Sequence, residues 1–229
     1  MDIEKTKCMI LHGFGGGVHE VEPLANYLTG LGYEVVCPVL KGHSTTRKEM
    51  RKATCKEWIA SAEEVLLSMK ETGGEILLIG FSMGGLIAFN LALRHNVRGI
   101  VTINTPIFYW NLYRVFLNLA DDVKKRKSEH IRRYLKAKDN SPLLSMFQFL
   151  VLLHHTKPEL EKIDCPLLII QAEDDDTVRK KSVDYISGHV SSERKTIQYF
   201  HDGGHLIFLS PVAGQVMSCV SDFLQSLKF

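Results

Sequence analysis

One stretch constrains this chain more than any other. The aliphatic run Ile76-Leu77-Leu78-Ile79 passes directly into Gly80-Phe81-Ser82-Met83-Gly84-Gly85 and then into small and apolar residues as far as Leu93. An unbroken apolar run bounded by a turn fits a strand buried on both faces, and such strands belong to parallel sheets sandwiched between helices. The rest of the chain repeats the theme. Residues 7–11, 33–39, 97–103, 166–171 and 196–200 read as further strands, and helical spacing appears around 21–31 and over 55–69, 83–93, 177–186 and 212–227. Strand and helix alternation of this kind predicts an α/β domain built on a mostly parallel central sheet flanked by helices. At 229 residues with 45% apolar side chains, one compact domain is expected.

Charge and cysteine usage narrow the function classes. Twenty-eight Lys and Arg against 26 Asp and Glu leave a formal charge of +2, too balanced for a protein that grips nucleic acid through its phosphates. No apolar run approaches the roughly 20 residues of a membrane helix, and the first one ends at His12-Gly13 instead of a secretory cleavage pattern. No integral membrane association is expected, and a cytoplasmic location is. The cysteines at 8, 37, 55, 165 and 219 are odd in number and lack CxxC spacing, so neither a disulfide framework nor a thiolate metal site is indicated.

Chemistry concentrates at the turns that follow the strands. Ser82 lies in a G-x-S-x-G turn between a strand and a helix, a context that projects the serine hydroxyl above a sheet with small residues on either side. Serine needs a base, and His205, in His201-Asp202-Gly203-Gly204-His205 after the last expected strand, is the candidate; His201 adjoins the strand and reads as structural. A carboxylate must hold the imidazole, and Glu173-Asp174-Asp175-Asp176 follows the strand at 166–171. Glu173 and Asp176 fit a solvated turn, while the residues alone do not choose between Asp174 and Asp175. The oxyanion that forms on attack needs two donors, for which the backbone N–H groups of Met83 and Phe14 are placed after strands. The early glycines lack the lysine and hydroxyl of a phosphate loop, and the histidines lack HExxH context for a metal. No cofactor or metal is implied.

Taken together, Leu11-His12-Gly13-Phe14-Gly15-Gly16, Lys41-Gly42-His43-Ser44, Gly80 to Gly84, Gln171 to Val178 and Gly204-His205 resemble the α/β-hydrolase superfamily over nearly the whole chain. The likeness is to its small bacterial carboxylesterase and monoacylglycerol-lipase-like branch. The resemblance implies an α/β-hydrolase fold with a small inserted helical cap, here residues 107–158. It implies Ser82 as nucleophile, His205 as base, and Phe14 and Met83 as oxyanion donors. Its acid loop, with the aspartate three residues before Val178, favours Asp175. It also implies an apolar acyl pocket under the cap, with Ile107, Phe108, Trp110, Leu144 and Phe147 as candidate lining residues. The run Lys124-Lys125-Arg126-Lys127 reads as a solvated helix face.

The expected function is therefore a serine carboxylesterase acting through an acyl-enzyme on short- to medium-chain esters, monoacylglycerols included. A thioesterase or acyltransferase would share the same triad, and a non-catalytic protein binding a small hydrophobic molecule could share the fold. The apolar cap could also support a homodimer.

Overall fold

The computed structural model describes residues 6–43, 47–109 and 143–227. Among these, the strands are β1 (Lys7–Leu11), β2 (Glu34–Val36), β3 (Ile76–Phe81), β4 (Gly99–Ile103), β5 (Leu167–Ala172) and β6 (Lys195–Phe200). They form one sheet in the order β2-β1-β3-β4-β5-β6, with every neighbouring pair parallel. The helices are α1 (Glu22–Gly30), α2 (Arg47–Lys52), α3 (Cys55–Glu71), α4 (Met83–Ala92), α5 (Leu143–Glu159), α6 (Lys181–His189) and α7 (Ala213–Ser226).

The aliphatic strands are continuous because both of their faces are buried. Along β3, Ile76 and Leu78 enter one core with residues of α3, α4, α5 and α6, while Leu77, Ile79 and Phe81 enter a second core with α1 and α7. β1 divides the same way, Met9 and Leu11 against Cys8 and Ile10. This alternation is the two-residue period of a strand expressed on two apolar layers, and each fully buried Leu or Ile contributes about 1.5–3 kcal/mol. α4 is apolar all round because it lies between the sheet and α3 and α5, and eight of its ten residues are buried.

Parallel register brings the chemistry to one edge. Leu11 pairs with Gly80, Gly80 with Thr102, and Ala172 with Phe200. The turns leaving β1, β3, β4, β5 and β6 therefore emerge side by side at the carboxyl ends of the strands, where α/β sheets place their sites.

The fold departs from the sequence reading in detail. β2 is three residues long, where 33–39 was expected, because it is an edge strand and Pro38 follows closely. α6 begins at Lys181, not 177, because the backbone of Thr177 and Val178 is held by the Asp175 carboxylate in a turn. The short charged helix α2 has no apolar period and left no sequence signal. α5 falls within residues 107–158, the segment expected to form the cap, and its Phe149, Leu152 and Leu153 are buried in the core shared with α3 and α4. Residues 110–142 lie outside the described part of the chain.

Candidate active site

Ser82 stands between β3 and α4 with φ 51° and ψ −121°, a left-handed conformation that costs an ordinary residue about 1–3 kcal/mol. Its N–H donates to the Ile103 carbonyl at 2.8 Å, and its own carbonyl accepts from Gly85 N at 3.0 Å. So sharp a reversal requires close backbone approach. A Cβ on Gly80 would lie 2.3 Å from Gly85 N, and one on Gly85 would lie 1.9 Å from the Thr105 hydroxyl, so both positions admit only glycine in this geometry. Met83 is the first residue of α4, where backbone N–H groups have no intrahelical partner and carry the positive end of the helix dipole.

The histidine and the acids meet across the β5 and β6 turns. His205 Nδ1 is 2.9 Å from Asp175 Oδ2. The Asp175 side chain is nearly fully buried, and its Oδ1 accepts from the Thr177 and Val178 amides at 2.8 Å each, while Gln171 Nε2 donates to Oδ2 at 3.3 Å. An ionised carboxylate so placed takes the Nδ1 proton as its hydrogen-bond donor, leaving Nε2 as the basic nitrogen. The imidazole rests against the ring of Phe81, the residue preceding Ser82, at 5.3 Å between centroids. Asp174 has a different job. Its Oδ1 accepts from the Gly203 and Gly204 amides at 3.0 Å each, and chiefly the Gly204 N–H holds its carboxyl below the ordinary carboxylate range. Glu173 pairs with Lys180 and, at 2.5 Å, with the exposed His201.

Asn104 joins these loops. Fully buried at φ 48° just after β4, it donates from Nδ2 to the carbonyls of Gly204 at 3.0 Å and His205 at 2.9 Å, and its Oδ1 accepts from Ala172 N at 2.8 Å.

The loop after β1 is organised by two buried histidines. His12 Nδ1–H donates to the Gly13 carbonyl at 2.9 Å while Nε2 accepts from Leu40 N at 3.3 Å, and burial pushes its pKa down to about 4. His43, with its pKa also lowered by burial, packs beside it in a tilted arrangement, with ring centroids 5.1 Å apart. Phe14 packs against His43, Trp58 and Phe149, with centroids 6.3, 5.9 and 5.5 Å away, which fixes the peptide carrying the Phe14 N–H.

A family model described as "Serine aminopeptidase, S33" matches residues 3–211. The chain belongs to this family of α/β-hydrolases. Among curated relatives, this S33 hydrolase is 31% identical to a thermostable monoacylglycerol lipase of Bacillus sp. (strain H-257) over 88% of its own length and 83% of that protein. It is 25% identical to a carboxylesterase of Bacillus subtilis (strain 168), covering 96% of this chain and 93% of that one. A solved structure from a study of two metagenome-derived lipolytic enzymes superposes with a TM-score of 0.80 at 19% identity, over 97% and 94% of the two chains. A Paleococcus ferrophilus monoacylglycerol lipase gives 0.71 at 19% identity, over 98% and 95%.

The apolar side chains expected to line a pocket in this hydrolase sit in different surroundings. Ile107 is buried in the core, and Phe108 is half-buried with its amide 2.8 Å from the Ser182 hydroxyl. Leu144 and Phe147 are 50% and 58% exposed, whereas Phe149 faces Phe14. Trp110 and the run Lys124 to Lys127 lie outside the described residues. Sequence reasoning missed Asn104, Gln171 and Glu20, whose partners are set by tertiary contact and leave no local motif. Among the described residues, no helix is long and apolar enough to cross a membrane and no cluster of metal-ligating side chains occurs.

Proposed function

We propose that this chain is a serine carboxylesterase that cleaves short- to medium-chain acyl esters, monoacylglycerols among them, with Ser82, His205 and Asp175 as its triad. The observation that carries the reading is the 2.9 Å contact between His205 Nδ1 and the buried Asp175 carboxylate, at the same sheet edge as the strained Ser82 elbow. Names of relatives from Bacillus favour an ester over other acyl substrates.

In this mechanism Ser82 Oγ attacks the ester carbonyl carbon while its proton passes to His205 Nε2. The new oxyanion is held by the Phe14 and Met83 N–H groups, and Asp175 stabilises the imidazolium. Collapse of the tetrahedral intermediate breaks the bond to the alcohol, which leaves with the proton from Nε2. Water then attacks the acyl-enzyme, His205 takes its proton, and a second collapse releases the carboxylic acid and restores the serine. Phe14, Tyr109 and Phe149 form an apolar cluster beside the donor loop that suits an acyl chain, and residues 107–158 are read as the cap over it.

The test is covalent. A fluorophosphonate should label the native protein at Ser82, and Ser82→Ala should lose both labelling and the acylation burst with a p-nitrophenyl ester. Label on another residue with Ser82 unmodified would remove the nucleophile assignment. Because the family carries a peptidase description, parallel assays use p-nitrophenyl esters, monoacylglycerols, an acyl-thioester and an amino-acid p-nitroanilide. Selective turnover of the thioester or the anilide would displace the ester reading while leaving the triad in place.

A further inference from the structure

The glycine-rich segment Gly13-Phe14-Gly15-Gly16-Gly17 carries one of the two donors invoked above, yet it has almost no side chains with which to hold itself in place. Glycine-rich loops lose more backbone freedom on ordering than others, so something outside the loop must fix it. That something is Glu20, at the end of the 3-10 turn Val18–Glu20. Its half-buried side chain folds back beneath the loop, and Oε2 accepts from Gly13 N at 3.1 Å. A Cβ on Gly16 would fall 2.1 Å from the Glu20 carboxylate, so the carboxylate lies flat against Gly16 and fills the hollow of the loop. A Cβ on Gly13 would lie 3.2 Å from both Glu20 Oε2 and Phe81 Cε1, and the Phe81 ring is in turn 5.3 Å from the His205 ring. The carboxylate and the aromatic ring thus both border Gly13, and the ring in turn borders the imidazole.

Resting on the serine esterase reading above, we propose that Glu20 is a positioning residue of that reaction: its carboxylate struts the loop presenting the Phe14 N–H, and its charge supplements that of Asp175 at His205. The strut supplies an acceptor to an inward-facing amide that would otherwise be unpaired. The charge acts when His205 takes the serine proton, since a second negative group within range stabilises the imidazolium in a poorly solvated site. The charged or titratable groups that bear on Glu20 are His19 on its own turn and His205 from the loop after β6; Asp175 reaches His205 from the other side. Burial pushes the Glu20 carboxyl above its ordinary range, opposed by the Gly13 amide, the two histidines and the Gly17 amide.

The experiment compares wild type, Glu20→Gln and Glu20→Ala as full-length proteins. It records melting temperature, fluorophosphonate labelling, and kcat and KM for a p-nitrophenyl ester across pH. Glu20→Ala, which removes the strut, should lower kcat on the order of ten- to a hundredfold with KM within about twofold of wild type. Glu20→Gln is nearly isosteric and keeps an acceptor oxygen while losing the charge. The acidic limb of its kcat/KM profile should move to lower pH by on the order of half a unit, because the imidazolium has lost a stabilising charge. A role confined to folding would lower the melting temperature and leave that limb where it is. An unmoved limb in Glu20→Gln, or wild-type kcat in Glu20→Ala, overturns the proposal while wild-type labelling at Ser82 keeps the hydrolase reading intact. Absence of labelling in the wild type sinks that reading and this proposal with it.

Discussion

Asp174 and Asp175 are neighbours of identical chemistry whose carboxylates meet different partners. Asp175 faces the imidazole and two amides of its own turn, whereas Asp174 reaches across to the amides of Gly203 and Gly204. Replacement should separate them. Asp175→Asn puts an amide where the imidazole needs an acceptor and should lower kcat on the order of 10³–10⁴-fold with the fold retained. Asp174→Asn keeps an acceptor oxygen and should cost about tenfold or less, by loosening the histidine loop. Steady-state kinetics with a p-nitrophenyl ester measures both, and equal losses would mean that the assignment of the acid is wrong. From the residues alone the two aspartates were indistinguishable, since each follows the same strand; what separates them is the turn that points one inward. The turns that carry Ser82 and His205 were legible because glycines mark them. Asn104 was not, since its hydrogen-bonded partners lie about 70 and 100 residues away in sequence.

At the scale of elements, apolar runs mark β1, β3, β4 and β5, whose two buried faces leave little room for polar residues, whereas β2 and β6, at the two edges of the sheet, are more exposed and of mixed polarity. The same criterion does not by itself sort the residues of α5. Leu152 and Leu153 pack into the main core, and side-chain direction around the helix separates them from exposed Leu144 and Phe147, which the resemblance suggested as pocket lining. α3 shows the opposite case of a short local signal with a firm consequence. Thr54 caps it, accepting from Glu57 N at 3.3 Å, while Glu57 Oε2 accepts from Thr54 N at 2.8 Å. The first turn so fixed carries Trp58, which backs Phe14. Thr54→Ala should destabilise the protein by about 1 kcal/mol in urea denaturation. A change indistinguishable from zero would show that tertiary contacts alone hold this helix end.

For the whole molecule, a formal charge of +2 at pH 7 leaves little net self-repulsion near neutrality, and buried histidines are among the first groups to act on stability as the pH falls. His12 is fully buried, and its pKa is lowered from 6.5 to about 4 in the folded protein. The unfolded chain therefore binds the proton first. Stability is unaffected above pH 6.5, declines as pH falls below that value, and by pH 4 has lost roughly 3 kcal/mol from this residue, with His43 adding in the same direction. Urea midpoints across that interval should fall steadily, and His12→Gln should flatten the decline. A wild-type midpoint constant across the interval would contradict the burial argument.

Asn104 grips the main chain of the histidine loop and leaves the imidazole itself to Asp175. Under the proposed reaction both half-reactions share this one frame: the proton lifted from the serine is handed to the departing alcohol, and the one drawn from water returns to the serine, with the same main-chain grip serving each.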